Sequence, residues 1–302
     1  MSTDVVIVAG PTASGKSALA LDLAERFAGT VINADAMQVY REMRVLTARP
    51  DVVATARAPH RLYGFLPATE VCSAGRWRAL AVAEIRAAQA AGRLPIVVGG
   101  TGLYLKALME GLSPVPAIPA EIRAGVRVRL DEIGADAFHA ELALRDPVMA
   151  ARLRPSDRQR LARAAEVVEA TGRSLADWQS VRAEAEGFRF LVLLLAPPRE
   201  ELNAIIDARF RAMVDAGAVE EARAMRALHL DPVLPATRAT GLRELIRHLK
   251  GEVGLEEAIG LAQANAALCE TANDMVSQSV IRSAPNRRAI FGKGATEKLC
   301  EN

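Results

Sequence analysis

The chain has few cysteines, no long apolar run and almost no net charge, and each lack argues against a class of protein. Its three cysteines, Cys72, Cys269 and Cys300, do not have the spacing of metal ligands, and so few thiols suggest a reducing compartment. No apolar run approaches the roughly 20 residues that span a bilayer. The N-terminal apolar run ends in a glycine-rich loop, without the basic start of a signal peptide. We therefore expect no signal peptide, no membrane contact and a cytoplasmic location.

A formal net charge of +2 gives the 302-residue chain no global attraction to polyanions. Any nucleic-acid site must therefore be a local basic patch. The 51% apolar and 25% charged residues are typical of a soluble globular protein, and 15 prolines and 21 glycines are too few for a fibrous or disordered one. The length suits one large domain, or a core with an inserted second domain.

The strongest local pattern is a glycine-bounded loop near the start of the chain. The β-branched run Val5–Val8 leads into GPTASGKS and then into an alanine- and leucine-rich segment with helical spacing. This is the strand–loop–helix context that the GxxxxGK[ST] phosphate-binding motif requires. The loop amides and the helix N-terminus would bind a di- or triphosphate, Lys16 would contact its outer phosphates, and Ser17 would ligate Mg²⁺. The predicted phosphate-binding residues are Gly10, Pro11, Thr12, Ala13, Ser14, Gly15, Lys16 and Ser17.

Two further apolar runs predict strands that end beside this loop. The run Gly29–Asn33 ends just before Asp35, and the run LPIVV ends in a double glycine before Thr101. Open parallel sheets bind ligands at the carboxyl ends of their strands, so both polar side chains are site candidates. Asp35 can be a general base or a metal ligand. On local sequence alone, Asp35 and Thr101 can equally be helix caps.

A proline-punctuated stretch at residues 112–119 predicts a domain boundary, and the helical pattern after it continues to about residue 186. This helical part is rich in arginine, and Arg160 and Arg163 lie three residues apart on one helix face. The pattern fits a solvated charged face as well as a patch that binds a phosphate backbone. The sheet resumes with the buried-type strand FRFLVLLLA.

Several motifs together resemble the tRNA dimethylallyltransferases, the isopentenyl-transferring P-loop family. They are GPTASGKS, DAMQVY, APHRL, VGGTGLYLKALMEGLSP, DPVMAARLRPSDRQRLARAAEV and IDARFRAMVDAGAVEE, and they extend from about Val5 to Gln263. The resemblance implies transfer of a dimethylallyl group from dimethylallyl diphosphate to the exocyclic N6 of adenosine 37, beside the tRNA anticodon. It implies Mg²⁺ as cofactor and the tRNA anticodon stem-loop as partner. We expect a monomer.

The resemblance also implies roles for single residues. Asp35 matches the catalytic aspartate that accepts a proton from N6, and Thr101 matches the threonine beside the bridging oxygen of the diphosphate. Arg123 and Arg209 match arginines at the reaction centre, with Arg209 nearest the diphosphate. The matched tRNA-contacting residues are Asp35, Ala36, Met37, Gln38, Gln159, Arg160, Leu161, Ala162, Arg163, Arg238 and Arg243.

The elements and the resemblance together predict an α/β fold, a P-loop NTPase-like parallel sheet flanked by helices with an inserted all-helical domain. We expect a discontinuous catalytic core at residues 1–115 and 187–264 and a helical tRNA-binding insertion at 116–186. Residues 265–302 form an atypical C-terminal tail.

The C-terminal tail departs from the family, whose corresponding segment is basic and contains a tryptophan. After Ala264 the chain reads NAALCETANDMVSQSVI, which has neither feature. A permitted reverse translation of Asn265–Ile281, read one base later, spells TRHYAKRQTTWFRNQ and then a stop. Its TGG codon is forced, because methionine is always ATG and valine codons begin with G. We infer a single-base frameshift near codons 264–265, with a divergent natural tail as the alternative.

The frameshift would have consequences for function and for order. We expect weakened tRNA binding with an intact diphosphate site, because the basic residues are lost and the phosphate loop is not. We expect Ser279–Asn302 to lack ordered structure.

Three other functions share parts of the pattern. A small-molecule P-loop kinase would have the phosphate loop but would not need an arginine-rich helical insertion. An adenylate isopentenyltransferase would share the chemistry but not the matched segment Gln159–Arg163. A nucleic-acid-binding protein without activity would not need Asp35, Thr101, Arg123 and Arg209 together.

Overall fold

The protein is described by a computed structural model that covers residues 4–181, 185–266 and 287–291, the last of these for the backbone alone. Its two compact units are Met1–Glu110 with Ala185–Asn302, and Gly111–Glu184. Within the described ranges, none of the helices is long and apolar enough to span a bilayer.

The first unit contains a parallel β-sheet. Its strands are β1 Asp4–Ala9, β2 Gly29–Asn33, β3 His60–Arg61, β4 Leu94–Gly99, β5 Arg189–Leu194 and β6 Arg287–Phe291. Their order across the sheet is β3-β2-β4-β1-β5-β6, and all neighbours pair in parallel. In the central register, Val6 lies opposite Ile96 on one side and Leu191 on the other. The predicted α/β fold with a P-loop-type parallel sheet is confirmed.

Helices flank this sheet and also form the second unit. They are α1 Lys16–Arg26, α2 Val52–Arg57, α3 Ala74–Ala90, α4 Gly102–Glu110, α5 Ala120–Arg145, α6 Pro147–Arg152, α7 Arg158–Thr171, α8 Leu175–Ser180, α9 Arg199–Asp215, α10 Ala218–Ala227 and α11 Leu242–Leu249. Residues 255–266 are also helical, and Pro235–Arg238 form a 3₁₀ turn.

Apolar side chains cover both faces of the central strands, which is why β1, β4 and β5 are apolar at nearly every position. One core cluster joins Trp77 of α3 and Leu105 of α4 to the strands, and another joins Leu19 and Leu23 of α1. Trp77 is fully buried, and its Nε1 donates a 2.8 Å hydrogen bond to the carbonyl oxygen of Asn33. This contact fixes α3 to the C-terminal end of β2.

The second unit is helical throughout its described residues. Helix α5 is interrupted at Gly134, which has φ 77° and ψ 169°. The buried carboxylate of Asp146 caps α6 by accepting from the N–H of Met149 at 3.0 Å, and it also accepts from the hydroxyl of Ser174 at 2.9 Å. Because Ser174 in turn caps α8, one acidic side chain fixes the starts of two helices.

The expectation that Ser279–Asn302 lacks ordered structure is wrong for five residues. Arg287–Phe291 form β6 and pair with β5, with Phe190 opposite Arg287. Without β6, β5 would be the edge of the sheet, and its unpaired backbone groups explain why a further strand adds there. The other tail residues, and the part of the inferred frameshift after Ala266, lie outside the described residues.

Candidate active site

The phosphate loop lies between β1 and α1 and depends on glycine. Gly10 has φ 152°, and a Cβ there would lie 2.5 Å from the carbonyl oxygen of Leu195, so no larger residue fits. Gly15, with φ 86°, precedes the first residue of α1 and provides no side-chain cap. An uncapped helix start of this kind favours an anion. The hydroxyl oxygen of Ser14 is buried and has no hydrogen-bond partner among the described residues, as expected of a group that meets a phosphate oxygen.

Asp35 follows β2 and is held by a local hydrogen-bond network. Its N–H donates to Asn33 Oδ1 at 2.9 Å, and Asn33 Nδ2 donates to the carbonyl oxygen of Leu62 at 3.0 Å. Its Oδ1 accepts from the N–H groups of Met37 at 2.8 Å and Gln38 at 3.4 Å. No group in the described part of the chain donates to Oδ2. The carboxylate therefore caps a turn with one oxygen and keeps the other for a ligand.

Thr101 follows β4 and joins the ends of two strands. Its Oγ1 accepts a 2.9 Å hydrogen bond from the N–H of Ala36, and its own N–H donates to the carbonyl oxygen of Ala34 at 3.2 Å. The close approach of the two strand ends requires glycine at position 99, because a Cβ there would lie 2.3 Å from the carbonyl of Ala34. The Thr101 side chain thus binds the turn after Asp35, while its hydroxyl hydrogen can still donate.

These residues line one cavity of about 470 Å³, called the main cavity here. Its polar wall contains residues from the phosphate loop, from both strand ends, from the loop between β2 and α2, and from α9. They are Gly10, Pro11, Thr12, Lys16, Asp35, Thr47, Thr101 and Arg209. A side cavity of about 230 Å³ is lined by Ala13, Ser14, Gly15, Ser17 and Gln38 and shares Thr12, Lys16, Asp35, Thr47 and Arg209 with the main cavity. The predicted catalytic and phosphate-binding residues of the α/β unit are thus brought together.

The main cavity also has an apolar wall, which was not predicted. Ile206, Phe210 and Met213 of α9 lie at positions i, i+4 and i+7 and form this apolar wall. The helical spacing could have shown such a face, but it is the same spacing that a core-facing helix has. Phe210 packs against Gly241, where a Cβ would lie 2.2 Å from the aromatic ring.

Two predicted tRNA-contacting residues lie outside the cavity lining. Arg238 ends the 3₁₀ turn and Arg243 lies in the first turn of α11, and both are exposed. Ala239 and Thr240, which lie between them in sequence, line the main cavity. The segment therefore presents exposed arginines on either side of two cavity residues.

The remaining predicted residues belong to the helical unit. Arg123 is exposed in the first turn of α5, and Gln159 and Ala162 lie on α7. The guanidinium of Arg160 lies 3.3 Å from the Asp157 carboxylate. That of Arg163 lies 3.3 Å from the carboxylate of Glu166.

The prediction for Leu161 needs correction. This residue is fully buried in the core of the helical unit. It lies on the inward face of α7, so its side chain packs in the core and cannot contact RNA.

Three tyrosines near the strand ends stay neutral at physiological pH. Burial strongly raises the pKa of Tyr63, and the negative charge of Asp35 adds to the shift. Burial also raises the pKa of Tyr104 strongly and that of Tyr40 to about 12. None of these phenols can therefore act as a base at neutral pH. Within the described ranges, no three or more His, Cys, Asp or Glu side chains are grouped to hold a metal ion.

The chain matches two family models, one described as IPP transferase over residues 38–267 and one described as isopentenyl transferase over residues 3–66. The tRNA dimethylallyltransferase of Nitrobacter hamburgensis is 56% identical over 266 residues, which cover 87% of this chain and 84% of that protein. That of Rhodospirillum rubrum is 58% identical over 264 residues, covering 87% and 81%.

Solved structures give a similar result. The tRNA isopentenylpyrophosphate transferase of Bacillus halodurans has a TM-score of 0.66 and 28% identity, covering 100% of this chain and 94% of that one. A eukaryotic dimethylallyltransferase acting on tRNA has a TM-score of 0.81 over 99% of this chain and 78% of that one. Its identity is 22%, so this likeness concerns the fold.

Proposed function

The chain belongs to the IPP transferase family, and from this premise we propose that it transfers a dimethylallyl group from dimethylallyl diphosphate to N6 of adenosine 37 in tRNA. Diphosphate is released. The observation that supports this most is the main cavity, whose polar wall contains the phosphate loop, Asp35, Thr101 and Arg209. Its apolar wall of Ile206, Phe210 and Met213 suits a five-carbon hydrocarbon chain.

The chemistry explains why both walls are needed. N6 of adenine is a weak nucleophile because its lone pair is delocalised into the ring, so cleavage of the allylic C1–O bond must lead the reaction. Positive charge then develops on C1 and negative charge on the departing diphosphate. The loop amides, Lys16 and Arg209 stabilise the departing diphosphate, and the apolar wall excludes water from C1.

Asp35 acts as the general base. When the C1–N6 bond forms, N6 becomes cationic and loses a proton to the open Oδ2. The hydrogen bond from Met37 to Oδ1 fixes the carboxylate in this orientation. The Thr101 hydroxyl, held by the N–H of Ala36, donates to the bridging oxygen of the diphosphate.

The Ser17 hydroxyl is suited to one coordination position of Mg²⁺. It is exposed, and it lines the side cavity together with Lys16 and Asp35. Since the described residues offer no carboxylate cluster, diphosphate oxygens and waters would complete the coordination. When bound, the ion would supply further charge neutralisation to the leaving group.

RNA recognition requires the adenosine to leave its stack, because N6 of a stacked base cannot reach a cavity. The arginines of α7 and the exposed Arg238 and Arg243 supply positive charge for the anticodon stem-loop. The protein would act as a monomer in the cytoplasm, where tRNA is modified.

The test is transfer of label from dimethylallyl diphosphate to a tRNA containing A36-A37-A38. Asp35→Asn keeps the shape and an acceptor for Met37 but removes the base, so we expect a fall in kcat of roughly 100-fold or more. Asp22→Asn is the control, because Asp22 is exposed on α1 and does not line the cavity. The assay is run on the present chain and on a variant with the alternative-frame C-terminus. The proposal fails if neither transfers label, or if AMP is modified in preference to tRNA.

A further inference from the structure

A long-range contact outside the predicted site fixes part of the main-cavity wall. Glu221, in the first turn of α10, accepts hydrogen bonds from three consecutive backbone N–H groups. Its Oε1 accepts from Arg44 at 2.5 Å and Val45 at 2.9 Å, and its Oε2 accepts from Leu46 at 2.7 Å. Consecutive amides that converge on one anion form a nest. Here the anion is a side chain that lies 175 to 177 residues away in the sequence.

The segment 44–48 that carries these amides is held from a second direction by the predicted site. Gln38 Nε2 donates to the carbonyl oxygens of Thr47 at 2.8 Å and Ala48 at 3.4 Å. Ala48 has φ 48°, a conformation that a residue with a side chain adopts only where its surroundings impose it. Leu46 and Thr47 both line the main cavity. The segment is thus fixed between α10 and the turn after Asp35.

We propose that Glu221 is a positioning residue of the transfer reaction, a role that rests on the proposed function. Its carboxylate sets the position of the segment 44–48 and therefore of Leu46 and Thr47 in the cavity that contains Asp35. The geometry requires a carboxylate, because all three partners are donors and only a group with two acceptor oxygens satisfies them. A glutamine would direct its NH₂ group at one of these N–H groups and leave that donor unpaired.

The neighbouring Glu220 provides a matched control. Both glutamates lie in the first turn of α10, where a negative charge favours the helix dipole. Glu220 is exposed and has no polar partner among the residues that the structure describes. A substitution at Glu220 therefore changes the same charge on the same helix without changing the nest.

The experiment compares Glu221→Gln, Glu221→Asp and Glu220→Gln with the unmodified protein, each well below its melting temperature. Backbone amide exchange at residues 44–46 is measured without substrate, and calorimetry measures the affinity for inorganic diphosphate. For Glu221→Gln we expect exchange at least about tenfold faster and kcat lower by about tenfold, as for a displaced cavity wall. Diphosphate affinity should stay within about twofold, because no residue of the phosphate loop bonds to this nest.

The control variants separate positioning from a general loss of stability. Glu221→Asp keeps two acceptor oxygens and should recover part of kcat, whereas Glu220→Gln should match the unmodified protein in every measurement. Faster exchange with unchanged kcat would overturn the positioning role, and unchanged exchange would overturn the contact itself. If the unmodified protein and its alternative-frame variant transfer no label while exchange at 44–46 still responds to Glu221→Gln, the proposed function and the positioning role both fail and only the nest stands.

Discussion

At the scale of single residues, Asp35 and Thr101 hold one turn from two strands. Thr101 Oγ1 accepts from the N–H of Ala36, and Asp35 Oδ1 accepts from the N–H of the next residue, Met37. Each side chain therefore holds the turn and still has one group that can contact a ligand. In Asp35 this group is the second carboxylate oxygen, and in Thr101 it is the hydroxyl hydrogen. A change at either residue moves the turn that fixes the other.

Thr101→Val tests this coupling. Valine has the same shape but leaves the Ala36 N–H without its acceptor and removes the donor to the leaving group. We expect kcat to fall by roughly 10- to 100-fold, measured in single-turnover assays with saturating tRNA and dimethylallyl diphosphate. Thr101→Ser keeps the hydroxyl and should stay within about threefold of the unmodified protein. A valine variant as fast as the serine variant would contradict any role of this hydroxyl.

The sequence predicts the position of Asp35 but not its task, since a cap and a base require the same residue type at the end of a strand. The structure shows that the cap and an open oxygen coexist in one carboxylate. Glu221 could not be predicted, because its three partners are backbone amides far away in sequence. Local patterns carry no information on such a contact.

At the scale of elements, α9 supplies the apolar wall. The glycine just before α11 leaves room for the aromatic ring in that wall. Gly241 precedes α11 with φ 82°, and the ring of Phe210 occupies the space of its missing Cβ. The position of the apolar wall therefore depends on a glycine that does not itself line the cavity.

Gly241→Ala should displace the Phe210 ring and weaken binding of the hydrocarbon chain. We expect a KM for dimethylallyl diphosphate raised by about tenfold, and unfolding easier by about 1–3 kcal/mol from overpacking and backbone strain. Inorganic diphosphate should inhibit as before, because it does not use the apolar wall. Gly251→Ala is the control, since Gly251 has φ 76° but, in the part of the chain that the structure describes, no atom beyond its sequence neighbours lies within 4 Å of its Cβ position. Equal effects of both substitutions on KM would assign the change to backbone strain alone.

The sequence predicted most of this architecture because each central strand is a continuous apolar run and each flanking helix has apolar residues at helical spacing. The elements that the patterns missed depend on partners. β6 pairs with an otherwise open edge of β5, and the apolar wall of α9 differs from a core face only by the cavity in front of it. β3 has two residues, too few for any periodic signal.

At the scale of the whole molecule, the helix at residues 255–266 connects the main cavity to the atypical tail. Ala266 lines the main cavity and packs against Leu202 and Ile206. Asn265 Nδ2 donates to Glu244 Oε1 at 2.8 Å. The match to the IPP transferase family ends at residue 267. The alternative reading frame would place threonine and arginine at positions 265 and 266, so the arginine would already change the lining of the main cavity.

Replacement of residues 265–302 by the alternative-frame segment tests the frameshift by its effect on RNA binding. Between Asn265 and Gln278 the present chain has Glu270 and Asp274 and no basic residue, whereas the alternative segment has one lysine and three arginines. The lysines and arginines of the present tail all lie after Ile281. We expect tighter tRNA binding and a steeper log–log dependence of affinity on salt, by roughly 0.7–0.9 for each further phosphate that the segment neutralises. Both chains should bind inorganic diphosphate equally well, because their phosphate loops are identical. The single substitution Ala266→Arg adds a cation to the main cavity without the rest of the segment. Its effect on tRNA binding therefore shows how much of the change comes from the cavity and how much from residues farther along the segment.

The matched control is the same alternative segment with its lysine and arginines replaced by glutamine. It keeps the length and the tryptophan of the charged segment but lacks its cations, so its salt dependence should be less steep than that of the charged segment. If the charged segment gives no tighter binding than this neutral one, the tail does not act through the phosphate backbone. Gene sequencing decides the origin of the tail separately, because the bases that encode residues 265–281 either can or cannot spell the basic motif one position later. A gene that cannot would make this C-terminus a natural divergence, and the weak tRNA binding expected of it would then be a property of this lineage.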